Sequence, residues 1–107
     1  GIPKNHTEAV KWYRLAANQR IAIAQYNLGT AYEHGQGVTA SKVIAYALYN
    51  LAAVNPSNEI NAPRNRDRIE QQLTLAQRTA GQALSLKLQQ SDDFLRTLDE
   101  AVRQTSK

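Results

Sequence analysis

Apolar residues fall three and four positions apart along most of this chain, the spacing of one face of an α-helix. Between Thr7 and Asn18 two such stripes coexist: Val10, Tyr13 and Ala17 form one, and Trp12, Leu15 and Ala16 form another. Asn18-Gln19-Arg20 reads as a short turn. A second helix is predicted from Ala22 to His34, with Ala24, Leu28, Ala31 and Tyr32 on one side and Gly29 in its interior. An interior glycine weakens a helix by about 1 kcal/mol relative to alanine, so its presence points to close approach of a neighbouring helix. Gly35-Gln36-Gly37 ends that helix with residues that tolerate positive φ. A third helix follows, capped by Ser41 and stopped after Val54 by Asn55-Pro56. Beyond a polar loop at Ser57-Asn58-Glu59, Pro63 suits the first turn of a fourth helix reaching about Leu73.

Thr74 with Gln77 has the form of a capping box and opens a fifth helix to about Gln90. Its Ala76, Ala80 and Ala83 make a small-residue stripe suited to tight packing. Ser91-Asp92-Asp93 caps a sixth helix whose apolar stripe is Phe94, Leu95, Leu98, Ala101 and Val102. That stripe either packs back on Leu84 and Leu88 or meets another chain, and the tail from Gln104 is expected to fray.

The pattern also repeats. Laid over itself with a shift of 36 residues, from Gly1 to Gly37, the segment Ala9, Tyr13, Leu15, Ala16 and Ala17 returns as Ala45, Tyr49, Leu51, Ala52 and Ala53. A fixed period of this size marks stacked helical units, each burying its apolar face against its neighbours and leaving a surface for a partner. Binding is therefore favoured over chemistry.

Composition narrows this further. The 107 residues suffice for one compact unit or an array of two to three helix pairs, and the 42% apolar fraction is dominated by Ala and Leu. With no cysteine, disulfides, zinc–thiolate sites and cysteine nucleophiles are excluded. No run is long and apolar enough to cross a bilayer and no signal peptide is present, while Gly1 begins inside a repeat, as in a piece of something longer. The net charge of +4 is spread without a basic run or an interleaved aromatic stripe, so nucleic acid is not the expected partner.

On these residues the chain resembles the Sel-one-like repeats, relatives of the tetratricopeptide repeats. The signature is carried by Ala22, Ala24, Tyr26, Leu28, Gly29, Tyr32, Gly35, Gly37, Val38, Ser41, Ala45, Tyr49, Ala52 and Ala53. The resemblance is specific over residues 1–54. It departs at Arg20, where the family usually has glycine, so that turn either avoids positive φ or bears strain. Ser41 replaces the commoner Asp, and Leu75 stands where Pro is frequent. The resemblance implies an all-α, right-handed solenoid of antiparallel helix pairs, closed by C-terminal capping helices. Residues 1–18 would be the second helix of a truncated repeat, 19–54 one complete repeat, 55–90 a degenerate terminal repeat or cap, and 91–107 an amphipathic helix and tail.

It further implies a non-catalytic scaffold for a protein or peptide partner, bacterial in origin, with periplasm and cytoplasm equally open. The chain itself would be a monomer or weak homodimer. In related arrays the first helix of each repeat lines the concave groove. Carried over, this implicates Ile23, Tyr26, Thr30, Glu33 and the rim residue His34 as partner-binding, with Arg64 and Arg68, which share a helix face, as a secondary acidic-ligand site. Two alternatives remain: a β-lactam-binding or hydrolysing protein, disfavoured because those relatives depend on Cys, and self-association through the last helix.

Other candidate chemistry reduces to structure. Gly35-Gln36-Gly37-Val38-Thr39-Ala40 matches a dinucleotide fingerprint in form, but that motif works after a strand and here follows a helix. His6 and His34 have no second ligand at the right spacing, so neither metal nor cofactor is expected. Asp92-Asp93 reads as a cap, as does the glycosylation-like Asn5-His6-Thr7. Trp12, Tyr13, Tyr32, Tyr46 and Tyr49 are assigned to packing between helices.

Overall fold

The computed structural model describes residues 5–54 and 62–105. Within them the chain is six helices: α1 (His6–Asn18), α2 (Ala22–His34), α3 (Lys42–Val54), α4 (Ala62–Glu70), α5 (Leu75–Gln90) and α6 (Phe94–Thr105). The proposed stop at Asn55-Pro56 and the loop at Ser57-Asn58-Glu59 lie outside the described residues.

The caps explain the boundaries. Asn5 Oδ1 accepts the Thr7 amide at 2.9 Å, and Ser41 Oγ accepts the Ile44 amide at 3.3 Å. Thr74 and Gln77 form both bonds of the capping box, at 3.1 and 2.9 Å. Asp93 accepts the Arg96 amide at 3.1 Å, while Ser91 Oγ accepts the Asp93 amide at 3.0 Å. Gly35 closes α2 in the left-handed conformation, φ 68°, and begins the turn that leads into α3. Helix α4 is shorter than its pattern suggests: it stops at Glu70, and buried Leu73 is reached by a turn. Arg78 Nε caps that end by donating to the Glu70 carbonyl at 2.8 Å. Helix α6 runs through Thr105, past the point where fraying was expected.

Helix α3 is the centre of the solenoid. It is buried continuously from Ile44 to Tyr49 and again at Leu51 and Ala52, with α2, α4 and α5 packed around it. Close approach is built in twice. A Cβ at Gly29 would lie 2.9 Å from the Tyr49 ring, and one at Gly81 would lie 2.5 Å from the Tyr46 ring. In α5 the packing face is Gly81, Leu84, Ser85 and Leu88; the alanine stripe at 76, 80 and 83 faces outward. The stripe's period is right, but a helix carrying small residues on two sides does not reveal which side has a neighbour.

The same ambiguity affects α1. Val10 and Ala17 are buried and Tyr13 is half-buried, whereas Trp12 is 62% exposed and Leu15 54%. Tyr32, Tyr46 and Tyr49 pack as expected; Trp12 does not.

Helix α6 folds back within the chain, burying Phe94 and Leu98 and reaching from α5 to α1. Arg14 donates two hydrogen bonds to Asp99, at 2.8 and 3.0 Å, and joins the first helix to the last. Arg20 does take positive φ, 66°. That conformation costs a non-glycine residue about 1–2 kcal/mol, and the same side chain offsets it. Its guanidinium donates at 2.6 Å to the Leu88 and Ser91 carbonyls at the end of α5, and sits 5.7 Å from the Phe94 ring centroid. Buried Gln25 has no hydrogen-bond partner for its amide among the described residues, and the packing around it supplies no reason.

Candidate partner-binding site

Helix α2 carries its candidate residues at 23, 26, 30 and 33, three and four apart, so they share one face. That face is bordered by α1 on one side and by α3 and α4 on the other. Ile23 is 47% exposed at its start, and His34 is exposed at its end.

The middle of the face is a connected polar network. The Tyr26 ring packs on Tyr49, centroids 5.6 Å apart, and its hydroxyl accepts from Asn65 Nδ2 at 2.8 Å. The Thr30 hydroxyl lies 3.2 Å from the Tyr26 carbonyl oxygen and 3.1 Å from the Tyr49 oxygen. Tyr49 donates to Glu33 Oε1 at 2.8 Å. Arg68 grips both carboxylate oxygens, Nη2 to Oε1 at 2.8 Å and Nη1 to Oε2 at 2.6 Å, and also donates to Asn65 Oδ1 at 3.2 Å. His34 Nε2 stands 3.8 Å from Glu33 Oε1. The Glu33 side chain is only 6% exposed.

These contacts set the electrostatics. Burial opposes ionisation of Glu33, but the hydrogen bonds from Arg68 and Tyr49 and the Arg68 charge outweigh it, holding its carboxyl below the usual range. Burial, reinforced by the neighbouring carboxylate, pushes the Tyr49 hydroxyl well up. Tyr49 is therefore a fixed donor at neutral pH.

The structure thus brings Tyr26, Thr30, Glu33 and Arg68 together, places Ile23 and His34 at the two ends of the face, and leaves Arg64 exposed one turn before Arg68. Asn65 and the hydroxyl role of Tyr49 were not legible in the sequence: their partners lie 16 to 39 positions away. The i, i+3 spacing of Asn65 and Arg68 was the one available signal. Among the described residues no three acidic or histidine side chains converge as metal ligands, and no helix is long and apolar enough to cross a membrane.

A Sel1 repeat model matches residues 1–20 and 22–53. The chitin synthase regulator SKT5 of Saccharomyces cerevisiae is 40% identical over 65 residues, covering 60% of this chain and 9% of that protein. Chitin synthase regulatory factor 3 of Schizosaccharomyces pombe is 34% identical over 89 residues, 83% of this chain and 9% of that protein. Among solved structures, c5321, a protective antigen of uropathogenic Escherichia coli strains with an SLR fold, superposes with a TM-score of 0.73 at 28% identity, covering 92% of this chain and 21% of its own. The chain thus spans about a tenth of these curated relatives and a fifth of the solved one. The two sequence relatives are fungal and the solved neighbour bacterial, so they do not single out a bacterial source. Two consecutive repeat matches, a matching solenoid and the spacing of its glycines and tyrosines agree: the chain belongs to the Sel1 repeat family.

Proposed function

We propose that this chain is a non-catalytic interaction module that holds a partner protein or peptide across the exposed face of α2. Exposed Ile23 and His34 make direct contact, Tyr26, Thr30 and Glu33 form the hydrogen-bonded floor between them, and Arg64 and Arg68 lie along the α4 border. The observation that carries this reading is the network itself. Six side chains from three helices are locked by hydrogen bonds into one rigid face, and a fixed surface loses little conformational entropy when a partner docks. Two relatives are named as regulators of an enzyme, which accords with a module that acts by binding. Phe94 and Leu98 of the α6 stripe are buried inside the chain, which favours the α2 face over α6 as the docking element.

The test is capture from the source organism's lysate by the chain and by two variants, Ile23→Arg and His34→Ala. Both positions are exposed and leave the Glu33–Arg68 network intact, so lost capture reports on the surface and not on folding. A partner held by the parent chain and lost by Ile23→Arg supports the reading. A partner retained equally by all three places recognition elsewhere.

A further inference from the structure

The α2 face has two chemically different borders, and together they specify a ligand. Towards α1 lies a crevice of about 190 Å³ whose floor is Val10 and Ala31 and whose rim includes Ala9, Asn27 and Thr30. Towards α4 lies a cationic edge: Arg68 keeps 45% of its side chain exposed while gripping Glu33, and exposed Arg64 precedes it by one turn on the same helix face. Among the described residues Arg68 is paired with Glu33 and Arg66 with Asp67, while exposed Arg64 makes no ion pair and so keeps a free guanidinium beside Arg68; Glu70, also outside any ion pair, lies at the far end of α4. The chain as a whole carries +4.

We propose, building on the α2 reading above, that this face takes an extended peptide segment of a partner protein. The segment carries an aliphatic side chain and, two residues away, a carboxylate. The aliphatic group enters the α1–α2 crevice; the carboxylate meets Arg64 and the outer edge of Arg68. Thr30 fixes the spacing because it belongs to both borders. It lines the crevice, and from its hydroxyl a path of three hydrogen bonds, 3.1, 2.8 and 2.8 Å, leads through Tyr49 and Glu33 to the Arg68 guanidinium. Two residues of extended chain advance roughly 7 Å and return side chains to the same face. A helical ligand fits this face less well, since its same-face neighbours stand only about 5–6 Å apart. Asn27 on the rim offers an amide N–H to donate and a carbonyl oxygen to accept, complementing the C=O and N–H of an extended backbone. An anionic ligand is favoured by the unmatched arginine, and a bidentate carboxylate suits a guanidinium edge.

The experiment is selection of phage-displayed random dodecapeptides on the full chain, followed by fluorescence anisotropy with a fluorescein-labelled peptide of the enriched sequence. The expected result is enrichment of an aliphatic residue two positions from Asp or Glu. Replacing that acid by Lys should weaken binding at least tenfold. Ala9→Phe, which fills the crevice, and Arg64→Glu, which reverses the border charge, should each weaken it at least fivefold, with unchanged circular dichroism and melting. Enriched peptides without the spaced acid, yet lost on Ile23→Arg, would overturn this ligand assignment and leave the α2 reading standing. Peptides indifferent to Ile23→Arg, Ala9→Phe and Arg64→Glu alike would overturn both readings, and no enrichment at all would overturn this ligand assignment.

Discussion

Glu33 is held ionised against the opposing effect of its own burial, because Arg68 takes both of its oxygens and Tyr49 donates to one. Its carboxyl titrates below the ordinary 4.5 in the folded chain, so ionisation favours folding above about pH 4.5. That contribution is lost as the pH falls through the lowered folded-state value. Glu33→Gln should therefore lower stability at pH 7 by about 1–2 kcal/mol, below the usual value for a hydrogen bond to a charged group because Arg68 is partly exposed to solvent. The gap between parent and variant should narrow as the pH falls below 4.5 and close in stronger acid. Urea denaturation of both chains from pH 7 to pH 3 measures this. A gap that stays constant over that range would show that the carboxylate charge contributes nothing. The sequence grouped Glu33 with Tyr26 and Thr30 on one face of α2 but could not show this role: a carboxylate near a helix end reads as solvated unless its cation, 35 positions away, is known.

At the scale of elements, five of six helices could be placed from sequence because each has one end marked by local chemistry: Asn5, Gly35, Ser41, Thr74 with Gln77, and Asp93 all bond within a few residues of themselves. What periodicity could not decide was which face has a neighbour. Trp12 was assigned to packing and lies in the open, while the alanine face of α5 was assigned to packing and faces out. Helix α6 poses the same question with the opposite answer. Its stripe would serve a dimer or the chain's own core, and the structure buries Phe94 and Leu98 beneath the Arg14–Asp99 bridge and the Arg20 latch. Phe94→Ala should then cost about 3–5 kcal/mol, a large share of what a domain this size has in total. The readout is a thermal melt followed by circular dichroism, with sedimentation at the same concentration. A variant that melts as the parent does and merely sediments more slowly would mean that Phe94 lies between chains.

For the molecule as a whole, the 36-residue repeat sets up a comparison that sequence alone cannot resolve. Trp12 and Leu15 in the first unit correspond to Leu48 and Leu51 in the second. The first pair is 62% and 54% exposed; the second is 0% and 4% exposed, enclosed by the helices packed on α3. Equivalent places in the repeat thus carry different energies, because stability in stacked units resides in the interfaces between neighbours. Leu48→Ala should cost about 2–5 kcal/mol, since it opens a cavity at the centre of the molecule. Trp12→Ala, which removes a larger side chain, should change stability by no more than about 0.5 kcal/mol. Trp12 is the only tryptophan, so its fluorescence reports on α1 alone: acrylamide should quench it nearly as well in the folded chain as in urea. The comparison needs both measurements at one low protein concentration, where contacts between chains are absent. A Trp12 shielded from quencher there, or a Trp12→Ala penalty matching that of Leu48→Ala, would mean that the outer face of α1 is covered as the equivalent face of α3 is. Shielding that appears only as concentration rises would instead identify that face as the place where two chains meet, because an apolar surface of this kind gains most by leaving water.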